Sequence, residues 1–350
     1  TNMINIIIPA YNAHSTIDRC LASILIQSYK DFDVTIVNDG GDSYSDTISR
    51  YKKLIKVREI SSTDKVNRGA GYARQFGLDH TNGEFVMFMD ADDVLYTPYA
   101  LQSLYDGIIA RPTFAVSAGR FIEECEYNDE TILHQEDMVW VFGKLYKRAF
   151  LNAYNIRFCP GSRWNEDNGF NCCVRLCSND NAQINFLTDV VYCWTNQPNS
   201  ITKNDTYAYG KSFVGNIENM LWAIKHAKKI GIPEDRINQF ALETFFSQYQ
   251  YMMEVYGRDK RFLHQNWEWM QVFYDIAIRP IKDTITEDVI TMYYSYTMSR
   301  AYSNGYMNEI VPIIGIYDFI NILDVKQEFE YDENDQSDYF PSDSSWLVVR

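Results

Sequence analysis

Residues 84–93 read EFVMFMDADD, and this stretch decides the fold expected for the first part of the chain. After Glu84 the run is continuously apolar, as the strands of buried parallel sheets tend to be. It leads directly into a turn that carries three aspartates. Because ligands of open α/β sheets bind beyond the carboxyl ends of the strands, we expect a polar site at this turn.

Short β-rich runs and helical patterns alternate around this stretch. Strands are predicted at residues 5–9, 33–37, 57–60 and 84–89. Helices are predicted at residues 16–28, 46–54 and 69–80, the first of them behind a Ser15 cap. Such alternation is typical of βαβ units, so we predict a Rossmann-like α/β fold with a mostly parallel sheet and flanking helices.

Beyond residue 205 the pattern changes to helical segments rich in aromatic residues and methionine, at residues 213–229, 237–256, 263–278 and 287–304. The aromatic stripes are interpreted as core, and homo-oligomer contacts through these helices are a further hypothesis. The predicted parts of the chain are the two halves of the α/β domain, residues 1–100 and 101–205, a mainly helical C-terminal domain, residues 206–326, and an acidic tail, residues 327–350.

The chain is acidic, with a formal net charge of −15. Residues 327–349 contain seven acidic residues and no basic one, so about half of this charge lies in the tail. The balance argues against nucleic acid as a partner, because nucleic-acid binding usually needs a net basic face. A local basic strip of Lys225, Lys228 and Lys229 keeps a nucleic-acid acceptor open as an alternative.

The sequence predicts neither a membrane span nor a signal peptide. No stretch approaches the roughly 18 uninterrupted apolar residues of a transmembrane segment, and the N-terminal run lacks a basic n-region. The seven cysteines form no Cys-x-x-Cys pair, so neither a disulfide framework nor a zinc site is expected. These features predict reduced thiols and a cytoplasmic location.

Asp90, Asp92 and Asp93 are the first group of residues that suggests chemistry. Like charges this close repel one another, and a divalent cation or protonation relieves the repulsion. Hard oxygen ligands favour Mg²⁺ or Mn²⁺, and such an ion commonly bridges a diphosphate. The alternative is structural, because Asp92 or Asp93 could cap a helix that begins near Pro98.

Residues 67–74, NRGAGYAR, are the second group. Gly69 and Gly71 permit close backbone approach, and the start of a helix offers free N–H groups to an anion. Arg74 lies near the predicted helix start and could reach a phosphate. Many helices open in this way, and the third glycine of a GxGxxG fingerprint is absent, so a nicotinamide-type site is poorly matched.

Residues 163–170, RWNEDNGF, are the third group. Glu166 and Asp167 precede an apolar, cysteine-rich helical run. One of the two carboxylates could act as a general base beside an acceptor hydroxyl. The alternative is helix capping and complementation of the helix dipole, which acidic residues in a first turn achieve.

Taken in order, these segments resemble a known family. They are PAYN at 9–12, VNDG at 37–40, NRGAGYAR at 67–74, DADD at 90–93, FGKLYKR at 142–148 and ED at 166–167. The ordered set resembles the family 2 glycosyltransferases with the GT-A fold, over residues 3–205. The resemblance implies that residues 1–100 bind a nucleotide sugar and that residues 101–205 receive the acceptor.

The resemblance implies an inverting transfer from a nucleotide-diphosphate sugar, usually a UDP-sugar, with Mn²⁺ or Mg²⁺ on the diphosphate. The acceptor would be a hydroxyl of a glycan, a polymer or another molecule, and the enzyme class that of hexosyl- or N-acetylhexosaminyl-transferases. The residues implied to line the donor site are Pro9, Ala10, Tyr11, Asn12, Asp39, Asn67, Gly69, Arg74, Asp90 and Ala91.

More specific roles follow from the same resemblance. Asp39 would accept the uracil N–H, while Asn67 and Arg74 would contact ribose or diphosphate. The metal ligands would be Asp92, Asp90 and Asp93. Asp167 would deprotonate the acceptor hydroxyl, with Glu166 as its rival.

One segment departs from the family pattern. Where many relatives have an aromatic–Arg–x–His sequence, this chain has Thr195 at the Arg position and Gln197 at the His position. Gln197 offers only a carbonyl oxygen in place of a His metal ligand. We therefore hypothesise that Arg163 or Lys203 completes the pocket.

Alternatives to this function remain at the level of the sequence. Within enzymes they are a hydrolase and a glycosyltransferase that acts on modified DNA bases. From a different class comes a nucleotide-sugar-binding protein with no turnover, because the metal shell departs from the family pattern.

Overall fold

A computed structural model describes residues 2–125, 129–179, 182–196, 208–255, 260–303, 314–326, 328–329 and 347–348. The chain divides into two compact units, Thr1–Ala208 and Tyr209–Arg350. Gln197 and Lys203 lie outside the described residues, as does most of the predicted acidic tail.

The first unit is an α/β domain. Its strands are β1 (Ile4–Ala10), β2 (Phe32–Asn38), β3 (Val57–Ser61), β4 (Phe85–Phe88), β5 (Val94–Leu95), β6 (Val116–Cys125), β7 (Glu130–His134), β8 (Lys144–Lys147) and β9 (Ile184–Asn196). Its helices are α1 (Ile17–Leu25), α2 (Ser45–Tyr51), α3 (Ala70–Asp79), α4 (Ala100–Ile109), α5 (Arg148–Ala153) and α6 (Glu166–Cys177).

These strands form one mixed sheet in the order β3-β2-β1-β4-β8-β6-β9-β5, with β7 paired to β6. The first four strands in this order are parallel, as βαβ connections require. Strand β8 then runs antiparallel to both β4 and β6. The predicted α/β sheet with flanking helices is confirmed, and its parallel character is concentrated in the half that precedes residue 100.

The buried strand β1 explains how the sheet is covered on both faces. Ile4, Ile6 and Ile8 belong to a core cluster with apolar residues of α1 and α4. The intervening Ile7 is also fully buried, and it points to the opposite face because side chains alternate along a strand. There it meets α3, since a Cβ on Gly77 would lie 2.4 Å from Ile7 Cγ2.

The start of α1 differs from the prediction. The cap residue is Thr16 rather than Ser15, and no side-chain cap hydrogen bond is formed. The Thr16 hydroxyl instead donates to the carbonyl of Ala13, 3.2 Å away. The predicted Ser15 cap is therefore wrong, because the helix begins at Ile17, one residue later than predicted.

The second unit is mainly helical, as predicted. Its elements are α7 (Ala208–Lys229), α8 (Glu234–Gln250), a π-helical turn (Tyr251–Val255), α9 (Lys260–Phe273), a second π-helical turn (Tyr274–Ile278), a 3₁₀ helix (Arg279–Thr284), α10 (Glu287–Ser303) and α11 (Ile316–Val325), followed by the short paired strands β10 (Glu328–Phe329) and β11 (Leu347–Val348). None of the described helices combines the length and apolar content needed to span a membrane.

Aromatic residues form the core of this unit. The Phe319 ring of α11 lies 5.4 Å from the Trp267 ring and 4.9 Å from the Tyr249 ring, measured between centroids. Trp267 is buried, so its interpretation as a core residue is confirmed.

We expect Gly77→Ala to destabilise the chain by about 2 kcal/mol, because the added methyl group overpacks the contact between α3 and β1. The added Cβ would also lie 3.0 Å from Val37 Cγ2, so neither neighbour can move aside freely. Urea unfolding followed by circular dichroism measures the difference.

Gly315→Ala is the matched control. Gly315 has no heavy atom within 4 Å of the position of its Cβ, and its φ of −61° suits alanine. A loss at Gly77 no larger than that at Gly315 would contradict the packing argument.

Candidate active site

The ends of β1 and β2 bring the first predicted donor residues together. Pro9 and Ala10 close β1, and the exposed Tyr11 and Asn12 follow it. Gly41 lies against this turn, since a Cβ there would be 3.1 Å from Asn12 Oδ1. The two strand ends thus form one continuous rim with Tyr11 and Asn12 open to solvent.

Asp39 ties this rim to the loop before α3. Its two carboxylate oxygens accept the backbone N–H of Arg68 at 2.9 Å and that of Gly69 at 2.8 Å. Gly69 has a φ of +94°, a conformation that glycine adopts without strain. Burial raises the pKa of Asp39, and these two N–H donors oppose the rise because they stabilise the carboxylate.

Arg163 closes the other side of the same loop. Its guanidinium donates to Asn67 Oδ1 at 3.0 Å and to the Asn67 carbonyl at 2.7 Å. Asp39, Asn67 and Gly69 are therefore adjacent, and Arg163 lies beside them as hypothesised. Arg163 joins the segment before α6 to the loop before α3.

Arg74 occupies a different place from the one expected. Its guanidinium is buried and donates to Asp90 Oδ1 at 2.7 Å, to Glu166 Oε1 at 3.1 Å and to Asp167 Oδ1 at 2.5 Å. The three carboxylates raise the pKa of Arg74, so the group stays charged. Instead of projecting toward an open phosphate site, Arg74 joins the carboxylates of the two halves of the domain.

Asp93 is fully buried below the Asp90–Asp93 turn. It accepts the hydroxyl of Tyr192 at 2.6 Å and the backbone N–H of Thr195 at 2.9 Å. The helix that follows begins at Ala100 without a side-chain cap, so the helix-cap alternative for Asp92 and Asp93 is wrong. Burial, together with Asp90 and Asp92, raises the pKa of Asp93.

Asp92 is the member of this turn best suited to bind a cation. Burial raises its pKa to about 6, and the neighbouring charge of Asp90 adds to the rise. Carboxylate oxygens of Asp90, Asp92 and Asp93 lie within 4.8 Å of one another. The donor set fits Mg²⁺ or Mn²⁺ through Asp92 and Asp90, because these two are partly exposed whereas Asp93 is fully buried. Ala91, between the two, is buried.

Glu166 and Asp167 begin α6, and both contact Arg74 of α3. Asp167 Oδ2 accepts the backbone N–H of Val141 at 3.2 Å, in addition to the bond from Arg74 to Oδ1. Gly71 packs against Glu166, since a Cβ there would be 2.9 Å from Glu166 Cγ. Burial raises the pKa of Asp167 to about 7 although the charge of Arg74 lowers it. This value suits a general base that works near neutral pH.

Arg19 was not among the site residues predicted from the sequence. Its Nη2 donates to Thr195 Oγ1 at 2.9 Å and to the Asp92 carbonyl at 3.0 Å, so it links α1, the aspartate turn and the end of β9. Thr195 is the residue that stands at the family's Arg position. The sequence did offer one signal for Arg19, a basic residue on the first helix, which follows the PAYN segment at residues 9–12.

Comparison with known proteins agrees with this geometry. Residues 5–164 match the family model described as glycosyl transferase family 2. Residues 1–349 of S. aureus TarS, solved in complex with UDP-GlcNAc, superpose with a TM-score of 0.66 at 16% identity, covering 90% of this chain and 99% of that one. The fold of this protein is GT-A.

Sequence relatives match parts of the chain. The uncharacterized glycosyltransferase EpsJ of Bacillus subtilis is 26% identical over 57% of this chain and 63% of its own length. The amylovoran biosynthesis glycosyltransferase AmsB of Erwinia amylovora is 40% identical over 29% of this chain and 34% of its own. The chain thus spans less than two thirds of these relatives.

We expect Arg74→Met to destabilise the chain by about 3–5 kcal/mol at pH 8, because it leaves buried carboxylates unpaired. Without Arg74 the pKa of Asp167, which burial already raises, rises further because the charge of Arg74 no longer lowers it. The native variant then binds more protons than the unfolded one. Its stability therefore falls as pH rises, and the loss is smaller at pH 5.5 than at pH 8. Urea unfolding at the two pH values measures this.

Arg50→Met is the control, because Arg50 pairs with Asp18 at 3.0 Å on the exposed surface. Such pairs contribute about 0–1 kcal/mol. A pH-independent loss at Arg74, or one as small as at Arg50, would contradict its role in holding the carboxylates.

Proposed function

We propose that this chain is an inverting glycosyltransferase that moves a sugar from a nucleotide-diphosphate sugar, first of all a UDP-sugar, to an acceptor hydroxyl. The observation that carries the proposal is the meeting of Asp90, Glu166 and Asp167 at the Arg74 guanidinium. Single displacement needs a base on the acceptor side and a cation on the leaving-group side, and this contact brings together carboxylates proposed for the two roles.

The donor site would lie along the rim formed by β1, β2 and the loop before α3. Tyr11 and Asn12 are open to solvent there, and Asp39 faces the loop that contains Asn67. A carboxylate oxygen has a second lone pair, so Asp39 can accept a uracil N–H while it holds the loop. Arg163, which contacts Asn67, and Arg19, which contacts the aspartate turn, are cations that could meet the diphosphate.

Asp92, with Asp90, would hold a divalent cation. When bound, the cation would neutralise the charge that develops on the leaving diphosphate. Both carboxylates come from a turn that Tyr192 supports, since its hydroxyl accepts the N–H of Asp90 at 3.0 Å. The turn is thus positioned before any ligand arrives.

Asp167 would act as the base. The acceptor oxygen attacks the anomeric carbon from the side opposite the diphosphate, the carbon–oxygen bond to the diphosphate breaks, and the acceptor proton passes to Asp167. Inversion follows because a single displacement changes the face of the anomeric carbon. Glu166 remains the rival base.

A binding protein without turnover is the main competing function. It would share the donor rim but would release no nucleotide from a nucleotide sugar. The structure favours the enzyme, because the raised pKa of Asp167 and its hydrogen bond to Val141 equip it as a base.

A screen of UDP-, GDP- and other nucleotide sugars with Mn²⁺ tests the activity. We expect hydrolysis of at least one UDP-sugar, measured as release of UDP, because water can replace an unknown acceptor. Absence of release from every nucleotide sugar, with UDP still binding, would favour the binding protein.

We expect Asp167→Asn to lower turnover by about 10²–10⁴-fold while UDP affinity stays within about twofold. In the wild-type chain the rate should rise with pH through about 7, because Asp167 accepts a proton only when ionised. Glu166→Gln is the comparison. A larger loss in that variant, with Asp167→Asn active, would assign the base to Glu166.

We expect Asp92→Asn to weaken Mn²⁺ binding at least about tenfold in the presence of UDP, because one charged oxygen ligand is removed. Electron paramagnetic resonance of free Mn²⁺ measures this without reference to turnover. Asp106→Asn, on the exposed side of α4, is the control. Equal Mn²⁺ affinity in the two variants would remove Asp92 from the metal site.

A further inference from the structure

Six aromatic side chains form a cluster beside the acceptor-side carboxylate, which we call the aromatic platform. Its members are Phe121, His134, Trp140, Phe142, Tyr192 and Trp194. The Trp140 and Trp194 rings lie 5.4 Å apart between centroids, and Phe142 stacks on Tyr192 at 4.7 Å. Four of them lie on β6, β7 and β9, which are neighbours in the sheet, whereas Trp140 and Phe142 lie in the segment before β8.

The platform is attached to both groups of site carboxylates. Trp140 precedes Val141, whose N–H donates to Asp167 Oδ2 at 3.2 Å. At the other end, the Tyr192 hydroxyl donates to Asp93 Oδ2 at 2.6 Å. The Asn171 side chain of α6 fixes the Trp140 backbone by donating to its carbonyl at 2.9 Å. A ligand resting on Trp140 would therefore lie next to the proposed base.

The members of the platform differ in burial. Phe121, Phe142 and Tyr192 are no more than 2% exposed, whereas Trp140, His134 and Trp194 remain partly exposed. The three buried rings belong to the core of the domain, and the two indoles that pack against this core remain partly exposed. Aromatic walls with a few polar groups are typical of small-ligand sites.

The basic groups around the platform are both paired with carboxylates. His134 pairs with the buried Glu123 at 3.0 Å. The charge of the buried Lys144 is taken up by Asp137 at 2.9 Å. Together with Asp167, these carboxylates disfavour a phosphate-bearing acceptor and can accept hydrogen bonds from hydroxyl groups.

We propose that Trp140 and Trp194 form the acceptor subsite and that the group received there is an uncharged pyranose ring. The C–H face of such a ring packs on an indole, while its hydroxyls reach Glu123, His134 and Asp167. This inference rests on the proposed function and adds to it the substrate class of the acceptor.

Saturation-transfer NMR with methyl glycosides of glucose, galactose and N-acetylglucosamine tests the subsite, with glycerol phosphate as the non-sugar probe. We expect at least one glycoside to bind the wild-type chain. Its Kd should rise about tenfold or more in Trp140→Leu and Trp194→Leu, which lose the aromatic face, and less than about threefold in Trp140→Phe. Trp222→Leu, in the second unit, is the control.

A second measurement does not depend on the leucine variants folding. In the wild-type chain with ¹⁵N-labelled indoles, the signals of Trp140 and Trp194 should shift on addition of the glycoside. The proposal is overturned if no glycoside binds, if only other tryptophans respond, or if glycerol phosphate binds more tightly in a way that Trp140→Leu abolishes.

The same experiment separates this inference from the proposed function. Sugar binding is observed without transfer, and UDP affinity is measured on the same samples by calorimetry. Failure of UDP to bind, or of any nucleotide sugar to react, would count against the glycosyltransferase. Loss of the glycoside signal alone would count against the acceptor subsite.

Discussion

The candidate site depends on one buried guanidinium. Arg74 binds Asp90, which lies within residues 1–100, and both Glu166 and Asp167, which lie within residues 101–205. Three carboxylates from segments far apart in sequence thus share one counter-charge. A carboxylate in a low-dielectric setting is disfavoured as an anion unless a counter-charge lies beside it. The balance is partial, because burial still raises the pKa of Asp167 to about 7. A carboxylate that is neither fully stabilised as an anion nor permanently protonated follows from that partial compensation.

The supports around Arg74 consist of backbone and sheet contacts. Asp39 holds the loop before α3 through two N–H groups, and this loop positions the helix that carries Arg74. On the other side, Tyr192 and Thr195 fix Asp93 and so the aspartate turn. Several carboxylates with an implied ligand role are therefore also structural. A single residue can serve both purposes because a carboxylate has more lone pairs than the backbone uses.

The fold was largely predictable from the sequence, whereas the partners of the site residues were not. The continuous apolar run before Asp90 and the alternation with helices predicted the parallel half of the sheet correctly, because periodicity and burial are local properties. Arg74 was predicted on the correct helix, but it was expected to reach a phosphate. Its contacts with Asp90 and Asp167 depend on tertiary packing, which brings together residues far apart in sequence. Arg19 and Tyr192 were missed for the same reason: each acts through a contact with a distant strand or turn. Residue type and spacing do not show which distant side chain such a residue contacts.

The distribution of charge has a consequence for the order of events at the proposed site. Arg74 is occupied by three carboxylates, so its charge does not attract a diphosphate, and Asp92, with a pKa raised to about 6, is largely ionised at neutral pH. An anionic donor that approached alone would meet this net negative turn, with Arg163 and Arg19 each engaged in contacts of their own. A divalent cation on Asp92 would reverse the local sign. We infer that donor and cation bind together, each raising the affinity of the other, because the protein leaves the diphosphate too little positive charge without the cation.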